Sequence, residues 1–297
     1  MSPEAVRHMT KTANAINRKA RRAKTAGIVL QYILAIAFTL IVIFPIFWMI
    51  ISSLKSSDEL LRPVPTLWPE RFQWHNYADA LKMAPFGKYF FNTIVMTAGI
   101  MFLQLTIGAF AAYGFAKGNF PGREALFIVV LGALMIPIQV TFVPIYVMVA
   151  KLKWINTFAG LIVPNAASAY LIFMLRQTFK AVDDSFLEAA RLEGLGRIGM
   201  IFRILVPMCK PTVMTVSIIT FIDSWNAYFW PKMVTTTSAR RTIAQGVYEL
   251  RRSYAGLETM NQNQIMAGAV MAIVPIILLF VVLQKYLLSG FSKAASK

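Results

Sequence analysis

Long uncharged stretches of apolar residues recur along the chain, and short segments between them contain most of the charged residues. Six of these stretches are long enough to cross a bilayer, for which about 20 helical residues suffice. The sequence therefore predicts an all-α integral membrane protein with six transmembrane helices. The predicted spans lie at about 28–51, 90–116, 125–150, 155–178, 212–231 and 265–288.

Prolines fall inside several of these predicted spans, among them Pro137, Pro144, Pro164 and Pro275. Proline removes a backbone donor and clashes with the preceding turn. Each one therefore predicts a kink, and neighbouring helices must satisfy the backbone groups that the kink releases. The pattern predicts one packed transmembrane domain over residues 25–297 rather than a set of separate anchors.

Residues 1–24 form a basic tail with seven lysines and arginines and one acid. Its apolar residues recur at three- and four-residue steps, which favours an amphipathic helix on the inner leaflet. A disordered basic tail fits the composition equally well. The apolar stretch that follows, Thr25–Leu54, has no charge and is too long for the roughly 7–15-residue core of a signal peptide. We expect it to be a membrane span.

Composition agrees with the membrane prediction, since 57% of the residues are hydrophobic and 14% are charged. The net charge of +17 is concentrated near the ends of apolar stretches, so we expect no nucleic-acid partner. Cys209 is the only cysteine and the two histidines, His8 and His75, are far apart. The sequence therefore predicts neither an internal disulfide nor a metal site.

The positions of lysine and arginine predict the orientation, because these residues are enriched on the cytoplasmic side. Placing the N-terminus inside puts 18 of the 30 basic residues in the cytoplasm. Six spans then return the C-terminus to the same side. The loop at 180–211, between the fourth and fifth spans, is also predicted to be cytoplasmic.

This loop contains a short polar segment, Glu188-Ala-Ala-Arg-Leu-Glu-Gly194. Ser185 and Glu188 have the spacing of a capping box, which predicts a helix that begins at Phe186. Gly194 predicts where the helix ends. A solvated connector would use Glu188 only as a cap, whereas a docking segment would present it to a partner. At helical angles one face has Phe186, Leu187 and Ala190, and the other has Glu188, Arg191 and Leu192.

With Ile204-Leu-Val-Pro207 at a fixed distance after it, this segment resembles the cytoplasmic coupling loop of ABC-type import permeases. The resemblance extends from about residue 28 to the end and is to carbohydrate-type permeases, in particular the smaller, six-span permease of the maltose type. The chain departs from the family pattern at Val182, Val206 and Ala227. The other matching segments are Pro63–Glu70, Asn76–Tyr77, Ala111–Lys117, Phe120–Arg123, Met135–Pro137, Pro144–Tyr146, Asn156–Thr157, Leu175–Gln177, Trp225–Asn226, Trp230–Pro231 and Leu283–Gly290.

The resemblance implies a type I ABC importer-like permease fold in a bacterial or archaeal plasma membrane. It implies import of a carbohydrate or related solute, such as a sugar, an oligosaccharide or a glycerol-phosphate compound. The implied partners are a second homologous permease in a heterodimer, two ATPase subunits, an extracytoplasmic solute-binding protein and membrane lipid. It assigns coupling to the ATPase to Glu188, Ala189, Ala190, Arg191, Leu192, Gly194 and Pro207.

The chain contains no G-x4-G-K-[ST] phosphate loop, so we expect it to bind no nucleotide. ATP and Mg²⁺ are expected on the partner ATPase, and this chain is expected to be neither an enzyme nor a cofactor-binding subunit. A membrane-embedded enzyme would need a catalytic set of residues within the spans. The predicted spans contain one acid and no histidine. A self-contained secondary carrier or channel is the alternative, and it would need no ATPase subunit.

That one acid is Asp223, about eleven residues into the fifth stretch. An ionisable residue at that depth is costly in lipid and usually faces a cavity or a partner. Asn226 falls on the same side of the helix, and Trp225 and Tyr228 have surfaces on which sugars stack. We therefore expect these four residues on the translocation path. The alternative for Asp223 is a structural hydrogen bond to another helix or to the partner permease.

Overall fold

A computed structural model describes residues 3–253 and 262–295, and within them it contains helices and turns but no strand. The first eight helices are α1 (Pro3–Ser53), α2 (Ser57–Leu60), α3 (His75–Met83), α4 (Phe86–Lys117), α5 (Arg123–Ala133), α6 (Ile138–Lys151), α7 (Phe158–Ile162) and α8 (Ala169–Lys180). The others are α9 (Asp184–Leu192), α10 (Arg197–Gly199), α11 (Val206–Met208), α12 (Lys210–Trp225), α13 (Phe229–Val234), α14 (Ile243–Ser253) and α15 (Gln262–Ala295).

Three helices in the described part are long and apolar enough to cross a membrane unaided. They are Gly27–Ser53 of α1, the whole of α4, and Gln262–Val282 of α15. Three further spans are possible if each of three bent helix pairs crosses as one unit, which gives up to six spans. By length and composition, this agrees with the six predicted spans.

The third predicted span bends at Pro137, where the sequence predicts a kink, and the fifth begins just after another bend. α5 and α6 meet at 96°, and the segment Arg197–Met208 meets α12 at 91°. Pro137 precedes α6 and has an extended ψ of 132°, which ends the helical path of α5. As a proline it also cannot donate a helical hydrogen bond. The fourth span bends by 46°, with Pro164 in a 3₁₀ turn between α7 and α8.

α1 is a single helix from Pro3 to Ser53, so the predicted basic tail continues without a break into the first span. The predicted sixth span, 265–288, lies within α15, which has Pro275 inside it. Residues 254–261 of the connection before α15 lie outside the described residues. The predicted first span matches the apolar stretch Gly27–Ser53 closely, whereas α12 ends at Trp225, six residues before the predicted end of the fifth span.

α4 is the central helix of the bundle. At its C-terminal end, Ala109 and Ala112 pack in a cluster with Leu175 of α8 and Leu187 of α9. At its N-terminal end, Tyr89 packs with residues of α12 and α14 in a second cluster. A helix of this length is roughly 48 Å long. α4 therefore joins the region around α9 to the opposite end of the bundle.

A buried polar cluster fixes the loop after α1 to the start of α15. The amide nitrogen of Asn76 donates to the carbonyl oxygens of Ser53 and Lys55, at 2.9 Å each. The amide nitrogen of Asn263 donates to the side-chain oxygen of Asn76 at 3.0 Å. Because buried polar groups need partners, this network determines where the loop lies.

We predict that Gly160→Ala destabilises the protein. A Cβ at Gly160 would overlap the backbone oxygen of Trp154, which cannot move as a flexible side chain can. Overpacking of this kind costs roughly 1–3 kcal/mol, so the Tm in detergent should fall by several degrees. Gly132→Ala is the matched control, because a Cβ there meets no atom within 4 Å. An unchanged Tm for Gly160→Ala would contradict this packing.

Candidate functional site

The segment predicted to couple to a partner folds as the helix α9. Asp183 is its N-cap, and the side-chain oxygen of Asp183 accepts a hydrogen bond from the backbone N–H of Ser185 at 2.9 Å. The helix therefore begins at Asp184, and the predicted start at Phe186 with Ser185 as the cap is wrong. The hydrogen bond from Ser185 also holds the pKa of Asp183 below its usual range.

The end of α9 agrees with the prediction. Gly194 has a φ of +82°, a left-handed conformation that glycine adopts without strain. The N–H of Leu195 bonds to the carbonyl of Ala190, and the N–H of Gly194 bonds to that of Arg191, at 2.9 Å each. These two bonds form a Schellman motif.

α9 has one buried face and one exposed face. Leu187 and Ala190 are 2% and 5% exposed and pack against α4 and α8. Phe186 was expected on this face but is 52% exposed, since it lies about 100° around the helix from Leu187. Leu192 is 90% exposed. We call the outward residues the exposed face of α9: Phe186, Glu188, Ala189, Arg191 and Leu192.

A buried lysine holds the start of α9 to the end of α4. The ammonium group of Lys117 donates to the backbone oxygen of Val182 and to a carboxylate oxygen of Asp184, both at 2.6 Å. The Lys117 side chain is only 7% exposed. Charge-assisted hydrogen bonds are about twice as strong as neutral ones. Together with the packing of Leu187, they make α9 and the end of α4 one unit.

A second buried cation joins the neighbouring helices. One guanidinium nitrogen of Arg176, on α8, donates to both carboxylate oxygens of Glu124, on α5, at 2.9 and 2.8 Å. The guanidinium also lies over the ring of Phe127, 3.9 Å from its centre. Charged groups away from water require such partners.

The chain between α9 and the fifth span bends twice. A π-helical turn over Met200–Leu205 buries Met200, Ile201 and Leu205, and Pro207 follows it in α11. The 91° bend comes after Met208. Single π-helical turns are rare and often lie at functional sites. Pro207 lies between this turn and the bend, at the junction of the exposed loop with the membrane helix α12.

A cavity of about 750 Å³ opens near the middle of the bundle, between α4, α6, the turn after α7 and the segment from α12 to α13. A second cavity of about 340 Å³ adjoins it and shares several of its residues. Both are in the size range of small-molecule sites. The polar and aromatic side chains that line the larger cavity include Gln104, Phe142, Asn165, Asp223, Tyr228 and Trp230.

The four residues expected on the translocation path lie in different surroundings. Asp223 lines both cavities and Tyr228 lines the larger one. Trp225 is buried beside Phe221, and its indole N–H donates to the backbone oxygen of Ala272 at 3.1 Å. Asn226 is the exposed C-cap of α12 and lines neither cavity.

Sequence reasoning did not single out Gln104, Lys117 or Arg176 as site residues. Gln104 lines both cavities and donates to the backbone oxygen of Asn165 at 2.8 Å. Its signal was available, because an amide in the middle of a long apolar helix needs a partner or a cavity. The partners of Lys117 and Arg176 lie more than 50 residues away in sequence, and spacing does not reveal such pairs.

Comparison with known proteins decides the family. Residues 104–293 match the family described as "Binding-protein-dependent transport system inner membrane component". The chain belongs to this family. It is therefore a membrane permease of the ABC importer class, as the sequence resemblance indicated.

Relatives of this permease transport different solutes, according to their names. The arabinooligosaccharide transport permease AraQ of Bacillus subtilis is 31% identical over 262 residues, 87% of this chain and 92% of the relative. The diacetylchitobiose uptake permease NgcG of Streptomyces coelicolor is 30% identical, over 89% of this chain and 87% of the relative. The sn-glycerol-3-phosphate permease UgpE of Yersinia enterocolitica is 28% identical, over 87% of this chain and 94% of the relative.

A solved structure supports the permease fold. A chain of a bacterial ABC transporter that imports the acidic polysaccharide alginate superposes with a TM-score of 0.77. The match covers 89% of this permease and 96% of that chain, at 23% sequence identity. The agreement confirms the type I importer permease fold that the sequence predicted.

We predict that Lys117→Met loosens α9 without unfolding the bundle. Methionine keeps the length of the side chain but cannot donate to Val182 or Asp184. A hydrogen bond to a charged group contributes about 1.5–3 kcal/mol. Amide hydrogen exchange over residues 182–192 should therefore become about 10-fold faster or more. Lys180→Met removes an exposed charge near the same loop and is the control. Equal exchange in the two variants would contradict the role of Lys117.

Proposed function

We propose that this chain is one of two homologous permease subunits in an ATP-driven importer that moves a carbohydrate or related solute inward. An extracytoplasmic binding protein delivers the solute, and two separate ATPase subunits bind ATP and Mg²⁺ and drive the cycle. The family and the names of the relatives support this proposal.

The exposed face of α9 is the observation on which the proposal rests. Leu192 and Phe186 expose large apolar surface next to the charges of Glu188 and Arg191. An exposed apolar patch with a polar rim is typical of a protein–protein contact. The helix is short and is held to the bundle by Lys117 and Leu187. A partner that moves α9 therefore also moves α4.

In this proposal the loop with α9 and both chain termini face the cytoplasm, where the ATPase subunits are. The positive charges near the span ends favour this orientation. α1 is available for contact with the second permease, because none of its most apolar 18-residue window is buried within the chain. Ile41, for example, is 71% exposed. Lipid or the second subunit covers this surface.

The proposed translocation path passes through the cavity beside Asp223 and Tyr228. Asp223 lies in α12 and Tyr228 lies just after it, and the bend after Met208 connects α12 to the loop that contains α9. Movement of the loop can therefore change the wall of the cavity from two sides, through α4 and through α12. This linkage is what alternating access requires.

We predict that Glu188→Lys uncouples the importer. Glu188 lies on the exposed face of α9 and does not cap the helix, so its replacement leaves the fold intact. A reversed charge in a docked interface costs several kcal/mol. ATP-dependent uptake into proteoliposomes, measured with the complete complex, should fall at least about 10-fold, and the yield of co-purified ATPase subunit should fall with it.

Glu193→Lys is the matched control for this experiment. It makes the same charge change in the same loop, but Glu193 lies about 140° around the helix from Glu188. Normal uptake by the Glu188→Lys variant would refute the docking assignment. Purification of an active chain that transports solute without any ATPase subunit would instead support a self-contained carrier.

A further inference from the structure

We propose that the cavity beside Asp223 accepts uncharged polyhydroxy solutes, such as neutral oligosaccharides, and discriminates against phosphate- and carboxylate-bearing ones. This inference rests on the proposed function, since it concerns the solute that the permease moves. Family membership does not decide the question. The relatives include permeases named for arabinooligosaccharides and diacetylchitobiose and others named for sn-glycerol-3-phosphate, and the solved structure with the same fold belongs to a transporter of an acidic polysaccharide.

The charge of the cavity wall is the first observation. Among the described residues that line the two cavities, Asp223 is the only charged one, and there is no lysine or arginine. Sites for phosphate and carboxylate groups use cations or clusters of backbone N–H groups. Asp223 is exposed to the cavity, and its carboxylate repels an anionic solute that binds beside it. A protonated Asp223 would also supply no positive charge.

The hydrogen-bonding state of Asp223 is the second observation. Within the described part of the chain, the Asp223 carboxylate accepts no hydrogen bond, although it faces both cavities. The neighbouring Gln104 is already engaged, because its amide nitrogen donates to Asn165 and its oxygen accepts from Thr220 at 3.2 Å. The carboxylate oxygens are therefore free to accept from solute hydroxyl groups. A hydroxyl group is a donor that suits these oxygens, so the discrimination against anionic solutes comes from the charge of Asp223.

The aromatic wall is the third observation. Tyr228, Trp230 and Phe142 line the larger cavity, and the ring centres of Phe142 and Trp230 are 5.5 Å apart. The indole N–H of Trp230 donates to the backbone oxygen of Gly160 at 2.9 Å, which fixes the ring. Rigid aromatic faces beside one carboxylate suit the C–H and O–H groups of a sugar ring.

Two cations on neighbouring segments, Lys232 and Arg240, do not alter this conclusion. Lys232 is close to Tyr228, but its ammonium group bonds to Glu249 at 3.2 Å and lies over the ring of Tyr248. The guanidinium of Arg240 lies over the ring of Phe158, 4.4 Å from its centre. Neither residue lines a cavity.

Solute binding to the detergent-solubilised complex of both permeases and the ATPase subunits tests the proposal without the selectivity of the binding protein. Quenching of tryptophan fluorescence reports binding, since Trp230 lines the cavity. The neutral probes are di- and trisaccharides of glucose, arabinose and N-acetylglucosamine. The anionic probes are di- and trigalacturonate, glucose 6-phosphate and glycerol 3-phosphate. We expect a neutral probe to bind at least about 10-fold more tightly than any anionic probe.

Asp223→Asn isolates the contribution of the charge, because it keeps the size of the side chain. This variant should reduce the neutral-to-anionic preference about 10-fold, whereas a purely structural role would weaken all probes alike. Asp79→Asn is the control, since it removes an acid from α3, away from both cavities. The proposal is overturned if an anionic probe binds the wild type as tightly as any neutral one. It is also overturned if no neutral probe binds, or if the preference survives in Asp223→Asn.

ATP-driven uptake separates this inference from the proposed function. Proteoliposomes with the complete importer and its binding protein should accumulate the neutral probe that binds. A complex that binds this probe with the expected preference but does not import it would refute the proposed transport while confirming the selectivity of the cavity. Import of an anionic probe instead would confirm transport and refute the selectivity.

Discussion

The attachment of α9 to the end of α4 is the constraint on which the other features of this permease depend. The buried ammonium group of Lys117 bonds to Val182 and Asp184, while Leu187 packs into the cluster formed by α4 and α8. Gln104, on the same helix as Lys117, lines both cavities. The two residues are 13 positions apart, or roughly 20 Å along a rigid helix. The exposed loop and the cavity wall are therefore parts of one body.

Polar groups inside the bundle are costly, and most of those in the described part of the chain are paired, although buried oxygen atoms of Ser52, Thr97 and Gln264 have no partner. Arg176 has Glu124, Gln104 has Asn165 and Thr220, and Asn76 joins two segments of backbone. Asp223 differs, because its carboxylate faces two cavities and accepts no hydrogen bond from the described residues. Paired groups contribute to the stability of the bundle. An acceptor without a partner in the chain is available to a ligand.

The exposed face of α9 and the uncovered surface of α1 both present apolar side chains that something outside the chain must cover. Leu192 exposes nearly its whole side chain, and the most apolar window of α1 has no residue buried within the chain. Apolar surface of this extent is not stable against water. Lipid suffices to cover it along α1, but not on a short polar helix outside the spans. The proposed contact with an ATPase subunit accounts for the exposed face of α9.

The sequence alone determined the class of the protein, because a membrane span is a local property of about 20 consecutive residues. It also determined the end of α9, since the left-handed backbone at Gly194 is a local requirement. Tertiary structure decided what depends on distant neighbours. Asp183 rather than Ser185 caps α9, Phe186 faces outward, and the indole of Trp225 bonds to Ala272 away from the cavity. The pairing of Lys117 with Asp184 joins residues 67 positions apart. Helical periodicity predicts which residues share a face, but only the packing of one helix on another decides which face is buried.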